Sequence, residues 1–227
     1  MSREDGGPIT APADMGRLSR RERFRQVGGN LIYVSQRVDA HPGIGERRDA
    51  LDGRWHRLLG GAGFRVLPVP NDGDQVRMWL EASPPLGVLL GGGNSPAAYG
   101  GAAPERCRTD GFLLDYAVAN GVPVLGVCRG MQSIAIHFGG SLKKVDGHVR
   151  VRHALDVRAG ENVNSYHEYA VDALPEGFAV TASAGDGVIE AIRHKSLPVE
   201  GIMWHPERED VFRGQDIKMI LDLFGGG

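Results

Sequence analysis

Hydrophobic and polar positions follow two different periods along the first 140 residues. Short apolar runs rich in β-branched residues, typical of strands, are followed by stretches with apolar residues at helical spacing. The predicted strands are NLIYVSQ (30–36), FRVLPVP (64–70), LGVLLGGG (86–93) and VPVLGV (122–127). The predicted helices lie within residues 46–63, 74–82, 104–121 and 129–140. Four alternations of strand and helix with short connections indicate parallel β-α-β units.

The pattern changes after about residue 141, where short strand-like runs joined by turns replace the alternation. The segment FRGQDIKMILDLF (212–224) predicts a closing helix. We therefore predict an α/β fold: an open, doubly wound, mainly parallel sheet with helices on both faces and a small antiparallel extension. Residues 29–227 are expected to form a single domain, and residues 1–28 a flexible polar tail.

Composition narrows the class of protein. The chain has 227 residues, 41% apolar and 24% charged, as in soluble globular proteins. Its net charge of −2 gives no reason to expect binding to nucleic acid or to a membrane surface. Two cysteines cannot build a disulfide framework and favour a reducing, cytoplasmic compartment. We see neither an apolar run long enough to span a membrane nor a secretory signal at the N-terminus.

One of the two cysteines lies where catalytic chemistry would be expected. Cys128 stands between the strand VPVLGV and the next helix, at the edge where open α/β sheets carry their sites. The pattern G-x-C-x-G, with Gly126 and Gly130, resembles a nucleophile elbow, and the helix N-terminus favours a thiolate. The alternative is a buried structural cysteine. The pattern by itself leaves both interpretations open.

A thiol nucleophile needs a base, and one of the eight histidines is placed to supply it. His205 ends the apolar run in GIMWHPE (201–207), and Glu207 follows two residues later. The imidazole could accept the thiol proton, and the carboxylate could orient the ring. An ordinary strand-end histidine with a surface glutamate is the alternative, but the cysteine elbow upstream favours the catalytic interpretation.

Acyl chemistry also needs donors for the oxyanion. The elbow geometry predicts that the backbone N–H of Arg129 is one donor. The loop GGGN (91–94), which follows a buried strand, is expected to supply the second from Gly92 or Gly93. The histidines lack zinc-type spacing with the cysteines, so neither a metal nor another cofactor is expected.

Several motifs in a fixed order resemble the class I glutamine amidotransferase superfamily, whose fold is flavodoxin-like. Within it the chain is similar to the γ-glutamyl-γ-aminobutyrate hydrolase family, peptidase family C26. The motifs are GGGNSPAAYGG, GVPVLGVCRGMQ, FGGSL, VNSYHEYAV, DGVIEAI and GIMWHPE. The loop at Asn94 and the separation of arginine from Asp110 by Thr109 depart from the family pattern. These departures leave the leaving-group side of the pocket open.

The resemblance implies roles for individual residues. It implies a triad of Cys128, His205 and Glu207, and an oxyanion hole made by Gly92, Gly93 and Arg129. It also implies that the α-amino and α-carboxylate groups of a glutamyl substrate are held by Gln132, Asn164, Ser165, Tyr166 and His167. Gln132 lies one helical turn after Cys128, so the two share a helix face.

Arginines near the N-terminus suggest an anionic substrate. Arg37 follows the first predicted strand, and Arg47 and Arg48 are expected at the start of the first helix. Guanidinium groups bind phosphate or carboxylate bidentately, although a solvated charged face is an equal alternative. This stretch and DGHVRVRHAL, with His148 and His153, resemble the γ-glutamyl-CDP-amidate hydrolase branch of the family.

The function predicted is a cysteine-dependent hydrolase that cleaves a γ-glutamyl amide through a thioester. The favoured substrate is γ-glutamyl-CDP-amidate, cleaved to glutamate and cytidine diphosphoramidate on the way to polysaccharide modification. A glutaminase subunit that delivers ammonia to a separate synthetase, and a hydrolase of γ-glutamyl-polyamine or γ-glutamyl-γ-aminobutyrate, remain alternatives. A non-catalytic binding protein is disfavoured by the presence of all three triad residues. The sequence leaves open whether the chain forms a homodimer or has a synthetase partner.

Overall fold

A twisted, mainly parallel sheet forms the centre of the computed structural model, which describes residues 29–225 apart from the side chains of residues 159 and 160. Its parallel strands are β1 (Leu31–Ser35), β4 (Arg65–Val69), β5 (Gly87–Leu90), β6 (Val124–Val127) and β13 (Val199–Ile202). The strands β11 (Phe178–Ser183) and β12 (Ile189–His194) extend the β13 edge in antiparallel register. The sheet order is β11-β12-β13-β6-β5-β1-β4. The predicted tail, residues 1–28, lies outside the described residues.

Helices cover both faces of this sheet. One face packs against α2 (Gly73–Ala82), α3 (Pro104–Asn120) and α4 (Arg129–His137). The other packs against α1 (Arg54–Gly61) and α5 (Gly214–Gly225). Neighbouring strand residues alternate between the two cores, as Val88 and Leu89 do, because side chains of a strand point to opposite faces. The prediction of a doubly wound α/β fold with an antiparallel extension is confirmed.

Three two-stranded ribbons surround the carboxyl edge of the parallel strands. They pair β2 (Arg37–His41) with β3 (Glu46–Ala50), β7 (Leu142–Lys144) with β10 (Tyr169–Val171), and β8 (Val149–Leu155) with β9 (Arg158–Tyr166). The first ribbon corrects the prediction of one helix over residues 46–63. Residues 46–50 are a strand, and the helix begins only at Arg54.

The reason for this difference lies in the turn between β2 and β3. Gly45 has a φ of 70°, which a glycine adopts without strain, and it closes a short 3₁₀ turn begun by Pro42. The apolar residues that suggested a helix, Leu51 and Trp55, lie after the ribbon. Within residues 29–225 we find no helix with the length and apolar character needed to cross a membrane.

Candidate active site

Cys128 occupies a strained turn between β6 and α4. Its φ of 52° and ψ of −105° lie outside the conformations that side-chain-bearing residues favour, and such strain is typical of functional sites. The backbone N–H of Cys128 donates to the carbonyl of Ile202 at 2.7 Å, which ties the turn to the end of β13. Only 7% of the residue is exposed. The elbow geometry that the sequence predicts is therefore present.

The glycines on either side of Cys128 are required by close packing. A Cβ on Gly130 would lie 2.0 Å from the carbonyl oxygen of Leu90, and a Cβ on Gly126 would lie 2.6 Å from the backbone of Gly130. Neither distance is tolerable between heavy atoms. The elbow thus depends on direct contact between backbone atoms, which requires glycine at both positions.

His205 connects the elbow to a carboxylate. Its Nδ1 lies 2.6 Å from Glu207 Oε1, and Cys128 is close enough to raise the pKa of the ring. Both His205 and Glu207 are almost fully buried. Since Nδ1 is engaged by the carboxylate, Nε2 is the nitrogen left to face the thiol. The structure brings the three predicted triad residues together.

The charges around His205 raise its pKa to about 9. Burial opposes this rise, but the interactions of the ring with Cys128 and with Glu207 more than offset burial. At neutral pH the imidazole is therefore protonated. A charged imidazole beside a cysteine favours its thiolate form and can donate a proton.

The glycine loop at residues 91–93 is shaped by a buried arginine that the sequence analysis did not single out. Arg106, fully buried on α3, donates to the carbonyl oxygens of Gly91, Gly92 and Gly93 at 2.5, 2.9 and 2.6 Å. Burial lowers its pKa to about 10, which leaves it charged at neutral pH. One guanidinium thus fixes three consecutive carbonyls.

This orientation bears directly on the predicted oxyanion hole. The C=O and the following N–H of a trans peptide point in opposite directions. With the carbonyl of Gly92 turned to Arg106, the N–H of Gly93 faces away from the guanidinium. Gly93 and Arg129 line the same cavity as Cys128. A Cβ on Gly92 would lie 2.5 Å from the His205 ring, so the loop also packs directly on the base.

Asn94, which departs from the family pattern, anchors this loop to the first ribbon. Its side chain accepts from the N–H of Val38 at 2.8 Å and donates to the carbonyl of Val38 at 2.9 Å. Below the loop, Arg129 forms a buried ion pair with Asp110 and donates to Cys107 Sγ at 3.1 Å. The acid at position 110 therefore holds the start of α4.

A cavity of about 180 Å³ opens beside the thiol. It is lined by residues of the glycine loop, the elbow and the β8–β9 ribbon: Gly93, Asn94, Ser95, Cys128, Arg129, Gln132, Val149, Tyr166, His167, Glu168 and Tyr169. Gln132 Nε2 donates to the carbonyl of Tyr169 at 2.8 Å, which leaves its oxygen as the acceptor near the pocket. Three of the predicted glutamyl-binding residues, Gln132, Tyr166 and His167, thus lie around this cavity.

The two other predicted substrate-binding residues have internal partners. Asn164 accepts from the backbone N–H of His205 at 2.9 Å and donates to its carbonyl at 2.8 Å. Ser165 Oγ donates to the carbonyl of His148 at 2.8 Å. Both side chains are buried and neither lines the cavity. Asn164 is therefore placed to position the base, not to contact a ligand.

A second, larger cavity of about 310 Å³ shares Gly93 with the first. Arg37 and Arg208 line it, together with Asp39, Asp52 and Glu207. Arg37 is half exposed and pairs with Asp39 at 2.5 Å. The Arg208 guanidinium stacks 4.6 Å from the centre of the Tyr166 ring. Arg37 is placed as predicted, and Arg208 is a second arginine that the sequence analysis missed.

The prediction for Arg47 and Arg48 was wrong in its geometry. Both lie on β3 and not at a helix N-terminus. Arg47 pairs with Glu105 on α3, and Arg48 pairs with Glu46 at 2.5 Å. Neither lines either cavity. The charged stretch ERRD pairs with β2 in the ribbon instead of opening the first helix.

Signals for the missed residues are present in the sequence but weak. Arg106 and Asp110 lie four positions apart on a helix, so they share a face, and that face is buried. Two charged residues on the buried side of a helix indicate a specific polar network. Arg208 directly follows H-P-E and is close to the site by sequence alone.

Comparison with known proteins decides the family. The family model described as glutamine amidotransferase class-I matches residues 52–219, about three quarters of the chain. The chain belongs to the class I glutamine amidotransferase family. This confirms the resemblance drawn from the motifs.

Individual relatives include at least two kinds of enzyme. The chain is 28% identical over 187 residues to a γ-glutamyl-CDP-amidate hydrolase of Campylobacter jejuni, which covers 79% of this chain and 91% of that protein. It is 34% identical over 159 residues to a glutamine-hydrolysing GMP synthase subunit of Methanosarcina mazei, which covers 64% and 78%. A solved structure assigned to a GMP synthase subunit of Thermoplasma acidophilum superposes with a TM-score of 0.64 at 24% identity, which covers 86% of this chain and 92% of that one. Its similarity supports the fold alone.

Proposed function

We propose that this amidotransferase-family chain hydrolyses a γ-glutamyl amide, with Cys128 as nucleophile, His205 as acid and base, and Glu207 as the orienting carboxylate. The observation that carries the proposal is the buried His205 ring, whose Nδ1 lies 2.6 Å from Glu207 Oε1 and whose pKa is raised by Cys128 and by Glu207. A nucleophile, a base and an orienting group that interact in this order are the signature of covalent acyl transfer.

The first half of the reaction forms a thioester. The Cys128 thiolate attacks the γ-carbonyl carbon, and the carbonyl π electrons move to the oxygen. The backbone N–H groups of Gly93 and Arg129 stabilise that oxyanion. When the tetrahedral intermediate collapses, the C–N bond breaks and the departing nitrogen takes the proton from His205.

The second half releases glutamate. Neutral His205 now takes a proton from water, and the resulting hydroxide attacks the thioester carbon. The C–S bond breaks, and its electrons return to sulfur, which restores the thiolate beside a protonated imidazole. Glu207 stabilises the imidazolium at this point and keeps the ring oriented toward the thiol.

The glutamyl end fits the cavity beside Cys128. Gln132 presents an oxygen there, which can accept from an α-ammonium group, and Tyr166 supplies a hydroxyl-bearing ring. We keep Gln132 and Tyr166 as proposed substrate-facing residues. His167 borders the cavity, but its two ring nitrogens face the Tyr169 carbonyl and Glu190 instead. For Asn164 and Ser165 we propose a positioning role, since their side chains bond internally to the backbones of His205 and His148.

For the leaving group we propose cytidine diphosphoramidate. The adjoining cavity has room for a bulky group, and Arg37 and Arg208 offer guanidinium groups to a diphosphate. Asp39 holds the Arg37 guanidinium at 2.5 Å and so fixes where it can reach. The Campylobacter jejuni relative, which is named for this hydrolysis, supports the choice. Both cysteines are free thiols, so we place the reaction in the cytoplasm.

The second candidate is a glutaminase subunit that works with a separate synthetase. It would use the same three residues on glutamine. The similarity to the glutamine-hydrolysing GMP synthase subunit favours it specifically. A γ-glutamyl-polyamine or γ-glutamyl-γ-aminobutyrate hydrolase would also use this chemistry but would have no use for the two arginines.

Release of glutamate from different substrates separates these functions. The purified chain is incubated with γ-glutamyl-CDP-amidate, γ-glutamyl-γ-aminobutyrate and glutamine, and kcat/KM is measured for each. We expect the first substrate to be preferred by at least about tenfold, since charge-assisted hydrogen bonds to the diphosphate contribute about 1.5–3 kcal/mol each. Equal rates on all three would contradict the leaving-group assignment.

The glutaminase alternative makes the opposite prediction. It requires low activity on glutamine that rises when a synthetase is added, and no activity on the diphosphate substrate. Loss of glutamate release in Cys128→Ala distinguishes the active site of this chain from a contaminating hydrolase. If Cys128→Ala retains full activity, the thioester mechanism is wrong for every substrate.

A further inference from the structure

Three histidines and one glutamate form a second buried cluster behind the pocket wall. His148, His153, His167 and Glu190 each present one side-chain nitrogen or oxygen within 4.8 Å of the others. His153 lies on β8, His148 directly precedes β8, His167 directly follows β9, and Glu190 lies on β12, so the cluster joins the β8–β9 ribbon to the antiparallel edge of the main sheet. None of the four is a member of the proposed triad.

The ligand-type atoms converge on one point. Glu190 Oε1 lies 3.2 Å from His148 Nδ1 and 3.3 Å from both His153 Nε2 and His167 Nε2. Four atoms bound tetrahedrally at about 2.0–2.1 Å from a zinc ion would lie about 3.3–3.4 Å from one another. The three spacings that involve Glu190 Oε1 match edges of such a tetrahedron, and all four atoms lie within 4.8 Å of one another.

Hydrogen bonding alone does not satisfy these groups. Only His167 makes a hydrogen bond of acceptable geometry to Glu190. Within the described part of the chain, His148 Nδ1, His153 Nε2 and Glu190 Oε2 are buried without a hydrogen-bond partner. His148 is 3% exposed and Glu190 is fully buried. Burying these polar atoms without hydrogen-bond partners therefore destabilises the fold. A cation at the centre would accept all the converging lone pairs.

The outward sides of the rings have the partners that metal-bound histidines have. His148 Nε2 lies 2.9 Å from Asp186 Oδ2, and His167 Nδ1 lies 3.2 Å from the carbonyl of Tyr169. Such contacts fix the tautomer so that the other nitrogen presents a lone pair inward. The carboxylates of Glu190 and Asp186 together balance a charge of +2.

We propose that this cluster binds one Zn²⁺ with a closed His₃Glu ligand set. Four protein ligands leave no open position, so the ion is structural and takes no part in the hydrolysis. It would fix the ribbon that carries Tyr166 and Glu168 to the wall of the pocket. The expectation that no metal is present rested on spacing to cysteines, whereas here the ligands are histidines brought together by folding.

The metal content of the intact chain tests the proposal directly. The protein is produced without a histidine tag, purified without chelators and analysed by inductively coupled plasma mass spectrometry. We expect about one equivalent of zinc per chain, retained through dialysis, since the site is closed by four ligands. Protein with only trace metal, whose chelator-treated form takes up no Zn²⁺, would overturn the proposal and leave a proton-sharing histidine network.

Variants locate the ion. His153 and Asp186 lie at the partly exposed side of the cluster, so His153→Ala and Asp186→Asn are the substitutions least expected to disturb folding. Zinc affinity should fall about 10–100-fold in Asp186→Asn, which alters only an outward partner, and further in His153→Ala. The control is His56→Ala, an exposed histidine on α1, which should leave zinc binding unchanged. Folded variants that bind zinc as tightly as the unaltered chain would exclude this site.

Cobalt substitution tests the geometry independently of folding effects. Co²⁺ added to the chelator-treated chain should give the intense visible absorption of a tetrahedral centre. Addition of equimolar Zn²⁺ should abolish it. A weak octahedral spectrum would show a water-coordinated, adventitious ion and would contradict the closed ligand set.

Discussion

The molecule carries two buried groups of histidine and glutamate, and they differ in how many rings share one carboxylate. At the elbow, one ring meets one carboxylate: His205 Nδ1 lies 2.6 Å from Glu207 Oε1, and Cys128 also raises the pKa of the ring. At the cluster, three rings surround Glu190, and several of the inward atoms lack hydrogen bonds. The first arrangement pairs one ring with one carboxylate, of which only Glu207 Oε2 is buried without a hydrogen-bond partner, and it suits proton transfer. The second leaves three such atoms, on His148, His153 and Glu190, and a cation among them suits a fixed structural role.

Removal of the thiol should separate the roles of the two groups most clearly. In Cys128→Ala, glutamate release should fall by a factor on the order of 10⁴ or more, because the covalent intermediate cannot form. Zinc content and the melting temperature should stay close to those of the unaltered chain. The matched control is Cys107→Ser, which lies outside the thiol cavity and should cost far less activity. Loss of zinc in Cys128→Ala would mean that the two groups are not independent.

The two carboxylates provide the next test. Glu207→Gln removes the charge that stabilises the imidazolium, so kcat should fall by a factor on the order of 10³. Asp186→Asn should instead change zinc affinity and leave kcat nearly unaffected. The steady-state kinetics of both variants are compared with their metal content. If Asp186→Asn depresses kcat as strongly as Glu207→Gln, the division of roles is wrong.

The pH profile sharpens the assignment of the His205 charge. Because its pKa is raised to about 9, His205 is protonated at neutral pH and loses its proton as the pH rises through that value. The kcat/KM for acylation should therefore decline on the alkaline side near pH 9, where the leaving nitrogen loses its proton donor. Glu207→Gln should move this decline to lower pH, since one of the charges that raises the pKa is gone. A decline that does not move in this variant would exclude His205 as its source.

The same comparison shows what the sequence could predict. The elbow was predictable because Gly126, Cys128 and Gly130 lie within five residues and at the end of an apolar strand. His205 and Glu207 were found because they also end a strand. The cluster was not, because its ligands at 148, 153, 167 and 190 meet only through ribbon and sheet pairing. Neighbouring residues determine an element, whereas a cluster of this kind depends on the register between elements.

The contacts of charged residues also depend on distant elements and were not predicted from the sequence. ERRD was predicted to open a helix because Leu51 and Trp55 follow at helical spacing, and nothing local reveals its pairing with β2. Arg106 was passed over because a charged residue within a helix is usually solvated. Its burial depends on three carbonyls of the glycine loop, which the alternation of strand and helix does not specify.

Substitution of Arg106 is expected to have an effect of intermediate size on catalysis. Arg106→Met keeps the side-chain length but releases the three glycine carbonyls, so the Gly93 N–H should lose its fixed direction. We expect kcat to fall about 10²-fold, as for the loss of one oxyanion donor, with KM changed much less. Thermal unfolding must accompany the kinetics, because a buried network is also lost. A variant that is destabilised but retains kcat would show that Arg106 does not orient the Gly93 N–H for the oxyanion.

The smallest effect is expected at the arginines of the larger cavity. Arg37→Ala should raise KM for γ-glutamyl-CDP-amidate roughly tenfold, because one charge-assisted contact to the diphosphate is lost. It should leave kinetics on γ-glutamyl-γ-aminobutyrate unchanged, since that substrate lacks a diphosphate. Arg47→Ala is the matched control, because Arg47 is paired with Glu105 away from the cavity and should alter neither substrate. Equal rises in KM for both substrates would assign Arg37 to the glutamyl end. An effect of Arg47→Ala as large as that of Arg37→Ala would show that the leaving-group site extends to β3.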